Sequence, residues 1–97
     1  AMMHAIQASK LRWRLQDQSV PALSFERAFY LATAGGGEFF GKVGAFREGY
    51  EADAVIMDDS SLDHPQALSV RARLERLVYL ADERCVREKY VAGTRVL

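Results

Sequence analysis

Charge of one sign is what this chain lacks first. Thirteen lysines and arginines balance thirteen aspartates and glutamates, for a formal net charge of zero. A dedicated nucleic-acid binder needs a basic footprint to release counterions from phosphates, so that class is excluded. No apolar run approaches the ~20 residues of a membrane-spanning helix, and no charged, apolar, small-residue leader pattern opens the chain. The single cysteine, Cys85, allows no intrachain disulfide and fits a reducing, cytoplasmic setting.

Catalytic sets are equally scarce. A metal centre needs several converging His, Cys, Asp or Glu side chains. His4 and His64 lie far apart, and neither belongs to an H-x-H or H-E-x-x-H pattern. The H-x-E and P-C-x-x-C signature of cytidine-deaminase-type enzymes is missing too. Cys85 has neither a second cysteine nor a neighbouring histidine, so no catalytic thiol is expected. Gly35-Gly36-Gly37 is not a phosphate loop, because a helix precedes it and Glu38 stands where a P-loop carries lysine. Its expected role is to end or kink the helix. Lys10, Arg12 and Arg14 around Trp13 are scattered about a helix and form no single patch for stacked bases.

What is present is an ordinary globular composition over 97 residues, 49% hydrophobic and 27% charged. That length suits one small domain. Residues 2 to about 16 read as a helix with two apolar strips, Met2, Ile6 and Trp13 on one side and Ala8, Leu11 and Leu15 nearly opposite. Such a helix is expected to be buried between neighbours. A second helix starts at the N-cap Ser24, with Glu26 in its first turn and Phe25, Ala28, Phe29 and Ala32 as its buried stripe. Ala54-Val55-Ile56-Met57 reads as a buried strand. A third helix, at about 67–80, carries the stripe Val70, Leu74, Leu77, Val78 and Ala81, with Leu74 and Leu77 expected to pack on the strand containing Val55 and Ile56. Arg71, Glu75 and Arg76 take its far face, with Arg71 and Glu75 four apart and able to pair. Residues 86–91 and 95–97 read as two strands joined by a turn at Ala92 and Gly93.

One segment is specific. Gly44-Ala45-Phe46-Arg47-Glu48-Gly49-Tyr50-Glu51-Ala52-Asp53-Ala54-Val55-Ile56 follows a helix ending in Leu31-Ala32-Thr33. Downstream come Leu74-Glu75-Arg76-Leu77, then Asp82-Glu83-Arg84. Together these resemble the carboxy-terminal segment of the metal-dependent amidohydrolases, and within them the guanine deaminase branch. Lys89 and Ala81 depart from that pattern, and Gly41-Lys42-Val43-Gly44 is a shorter linker than usual.

The resemblance implies an α+β piece of a larger enzyme. Residues 1–41 would supply the terminal helices of a (β/α)8 barrel, and residues 42–97 the carboxy-terminal part of a small composite β-domain with one helix. A barrel alone takes roughly 250 residues, so the chain is expected to be part of a longer polypeptide. The opening Ala1-Met2 reads as a cloning remnant or a cut inside a helix. By resemblance the parent holds zinc and converts guanine and water to xanthine and ammonia, whereas this segment carries no catalytic, substrate-binding or metal residue and binds no cofactor. Asp53 is expected to fix a turn through backbone N–H groups, not to bind metal. Strands without their usual partners favour self-association. Two alternatives stay open: a stand-alone α+β interaction module, or part of an amidohydrolase acting on another aminated heterocycle.

Overall fold

A computed structural model describes residues 1–62 and 66–97. Three helices, α1 (Met2–Leu15), α2 (Phe25–Tyr30) and α3 (Val70–Leu80), accompany a sheet of β1 (Ala54–Met57), β2 (Val86–Val91) and β3 (Thr94–Arg95). The strand order is β1-β2-β3, and both pairings are antiparallel. The expectation for His64 lies outside the described residues. None of the described helices is long and apolar enough to cross a membrane.

The main core cluster is small and lies between α1 and α2, with Cys85 buried separately beside β2. Ile6 of α1, only 2% exposed, meets Phe25 and Ala28 of α2. Leu23, Phe29, Leu74, Val78 and Tyr79 pack around them. Burying such a side chain contributes about 1.5–3 kcal/mol, so these few contacts dominate cohesion at this end. Ser9 joins α1 to the segment before α2: its hydroxyl donates to the Ile6 carbonyl at 2.7 Å and accepts the Leu23 N–H at 2.8 Å. Ser24 caps α2 by accepting the Arg27 N–H at 3.1 Å. Ser69 does the same for α3 with the Ala72 N–H at 3.2 Å. That cap starts α3 at Val70, later than the expected 67, because Ser69 has extended backbone angles and the two residues before it are not helical.

Several expectations are corrected. Neither strip of α1 is buried along its length: Ile6 is buried and Met2 half-buried, while Trp13 on the same strip and Ala8, Leu11 and Leu15 on the other are exposed. Ala32 and Val70 are exposed, so the stripes of α2 and α3 are shorter than their periodicity suggested. β1 is not a buried strand either, with Val55 54% exposed. Leu74 packs against the helical core, and Leu74 and Leu77 line an open cleft together with Ala54, Val55 and Met57 of β1.

The glycine triplet does not end its helix. After Tyr30 the backbone widens into a π turn (Leu31–Gly35), returns to α geometry at Gly36 and Gly37, and finishes as a 3-10 turn (Glu38–Phe40). The stop comes at Gly41, whose φ of 108° is open to glycine. The glycines instead permit close packing. A Cβ at Gly37 would meet the Val43 carbonyl, and one at Gly44 the Thr33 carbonyl.

β1 and β2 pair from Ala54 with Tyr90 to Met57 with Val86, and the register steps between Ile56 and Met57, where Arg87 is the extra residue. Ala92 and Gly93, with φ of 50° and 79°, form the expected tight turn between β2 and β3. Backbone bonding continues past β3, since the Val96 N–H donates to the Lys89 carbonyl at 2.8 Å.

Candidate functional site

Asp53 occupies the most informative polar position. It stands just before β1, and its Oδ1 accepts the Ala92 N–H at 2.8 Å. Beside it the Gly93 N–H donates to the Ala52 carbonyl at 2.9 Å. The two bonds clip the β2–β3 turn onto the start of β1. The sequence placed Asp53 in a local turn; the structure gives it a backbone partner 39 residues away. The legible signal was the turn itself, since an Ala in left-handed geometry needs outside support.

The cleft beside this clip measures about 860 Å³. One wall is helical, with Phe29, Thr33 and Phe40; the other is sheet, with Val55, Lys89 and Tyr90. Its character is mainly apolar. Tyr90 donates its hydroxyl proton to Glu88 Oε2 at 2.6 Å, and that carboxylate pushes the phenol up from its ordinary value.

Several other charged groups build surface links. Arg71 donates from Nε to Glu26 at 2.5 Å and from Nη1 to Glu75 at 2.5 Å, with its guanidinium 5.3 Å from the centre of the Phe25 ring. The expected pairing with Glu75 is therefore half of a bridge between α2 and α3 that sequence reasoning missed. The Arg71 hydrogen bond lowers the Glu26 carboxyl below its ordinary value. Arg73 holds Asp59 through Nε at 2.8 Å and Nη2 at 2.9 Å. Arg84 lowers Asp82 in the same manner. His4 is exposed on α1. Cys85 is buried, with its sulfur 3.9 Å from the Ser61 hydroxyl. Among the described residues, no group of three or more His, Cys, Asp or Glu side chains is placed to hold a metal ion.

Comparison with known proteins supplies the context these groups lack. Human guanine deaminase is 31% identical over 87 residues, covering 78% of this chain and 19% of that protein. The 5-methylthioadenosine/S-adenosylhomocysteine deaminase 1 of Archaeoglobus fulgidus is 32% identical over 97 residues, covering 99% of this chain and 22% of its own length. The crystal structure of guanine deaminase from C. acetobutylicum, with guanine bound in its active site, superposes with a TM-score of 0.91 at 44% identity. That superposition covers 99% of this chain and 23% of the crystallised one. The chain thus spans about a fifth of the length of the curated relatives it matches. The profile of the Amidohydrolase family matches residues 1–96, and the chain belongs to that family.

Proposed function

We propose that these residues form the carboxy-terminal structural segment of a zinc-dependent, guanine deaminase-like hydrolase that turns guanine and water into xanthine and ammonia. The observation that carries this reading is the superposition on the C. acetobutylicum enzyme over nearly the whole chain. In this reading residues 1–41 are the terminal helices of a (β/α)8 barrel. Residues 42–97 are the carboxy-terminal part of the small β-domain, and the segment works in the cytoplasm as scaffold. The described side chains do not fit a zinc site, since they offer no converging ligand set, so no chemical step is assigned to them. Catalytic, substrate-binding and metal residues belong to the rest of the parent polypeptide. That polypeptide is also the main partner, with self-association a secondary property of the segment alone.

The A. fulgidus match favours a second reading, in which the parent deaminates an adenosine derivative. Both are tested by expressing the full-length polypeptide, measuring zinc by elemental analysis, and assaying ammonia release from guanine and from S-adenosylhomocysteine. Turnover of guanine alone is the expected outcome. Turnover of the nucleoside alone replaces the first reading with the second. Inactivity on both, with no zinc bound, favours a stand-alone interaction module.

A further inference from the structure

The helix over residues 25–40 carries one residue more than a regular α-helix needs. At the π turn the Gly36 N–H donates to the Leu31 carbonyl, five positions back instead of four. Such turns are uncommon and occur frequently at functional places. Here the turn forms part of the cleft wall, through Ala32 and Thr33. The Thr33 hydroxyl donates to the Phe29 carbonyl at 2.7 Å, so that acceptor stays satisfied at the seam.

If the π turn returns to α geometry, everything after it advances by one position, a rotation of about 100° and a rise of ~1.5 Å. Residue 39 then takes the place of residue 40, and residue 36 the place of residue 37. Along Gly35-Gly36-Gly37-Glu38-Phe39-Phe40 that step keeps the residue type at the places of Gly36, Gly37 and Phe40, while Gly37 takes the place of Glu38 and Glu38 that of Phe39. Gly36 replaces Gly37 against the Val43 carbonyl, where no Cβ fits. Phe39 replaces Phe40 at the rim of the cleft, and the two rings already lie edge to face with centroids 5.0 Å apart. Gly36 and Gly37 already have α-helical backbone angles. The released residue is taken up at Gly41, where even a Cβ would meet nothing within 4 Å.

We propose that this helix is a two-register device. The π turn stores one residue, and releasing it exchanges Phe40 for Phe39 at the mouth of the cleft while the glycine contact with the Val43 loop is preserved. Within this segment neither ring is held by packing, with Phe39 88% and Phe40 77% exposed. The step alters the shape of the wall without unfolding the helix.

Two glycine substitutions separate this device from a fixed π turn. Gly37→Ala places a Cβ against the Val43 carbonyl in the observed register but moves it clear in the slipped one. Gly36→Ala collides in both, with the Leu31 carbonyl in the first and the Val43 carbonyl in the second. Melting temperatures and crystal structures of the full-length polypeptide carrying each change are the test. The expected result is a Gly37→Ala protein that melts near wild type, bonds the Gly36 N–H to the Ala32 carbonyl and presents Phe39 at the rim. Gly36→Ala should melt well below both. The proposal is overturned if Gly37→Ala fails to fold or loses as much stability as Gly36→Ala. It is also overturned if Gly37→Ala keeps Phe40 at the rim with the Val43 loop pushed away.

Discussion

The helical end and the sheet end of this molecule are held by different forces. At the helical end, Ile6, Phe25 and Ala28 are withdrawn from water and the caps satisfy backbone groups locally. At the sheet end the apolar residues of β1 remain open, and cohesion comes from the antiparallel ladder and the Asp53 clip. Hydrophobic transfer is non-directional and tolerates small shifts, whereas a backbone ladder fixes register residue by residue. One end is therefore specified by which residues are apolar, and the other by which groups can hydrogen-bond.

The contrast breaks or holds first at the core. Phe25→Ala should destabilise the protein by ~3–5 kcal/mol, against about 0.5 kcal/mol for Val55→Ala on the open strand. Chemical denaturation of the two variants measures this. Equal losses would show that the cleft closes over Val55 in solution.

A middle-sized effect belongs to the clip. Asp53→Ala removes the acceptor for the Ala92 N–H, and a solvent-exposed bond of this kind contributes about 1 kcal/mol. Hydrogen exchange should show the Ala92 amide losing protection while α1 and α2 keep theirs. Faster exchange throughout the helices would mean that the two ends are one cooperative unit.

The smallest effect is electrostatic. The Glu26 carboxyl is lowered by its hydrogen bond to Arg71, so its contribution is complete above the ordinary carboxylate range and disappears as pH falls through the lowered value. Thermal melts should therefore show stability falling on acidification below about pH 4, with a shallower fall in Arg71→Ala. Both side chains are exposed, so added salt should shrink the difference between the proteins.

Much of this was legible in the sequence. Ser24 announced α2 because a hydroxyl before an apolar stripe satisfies free N–H groups, and β1 and β2 were readable as short, bounded runs. The segment containing Asp53 pointed to the amidohydrolases. Burial was less legible, because periodicity says which residues share a face and not what covers it; Leu11, Ala32 and Val55 were misread for that reason. The π turn escaped because Gly35, Gly36 and Gly37 look like a helix stop, while their missing side chains serve close packing. Arg71 escaped because its partner Glu26 is 45 positions away. Of the candidate site, the role of Asp53 as a backbone acceptor was readable and its distant partner was not.

The clip between Asp53 and Ala92 also bears on the order of assembly. Its closure joins positions 39 apart, and the conformational search for such contacts delays them relative to local ones. Helices α1 and α2, joined by a short connection, can meet before the sheet forms. The sheet is then the late half of the molecule, and weakening the clip should hasten unfolding while leaving the folding rate nearly unchanged.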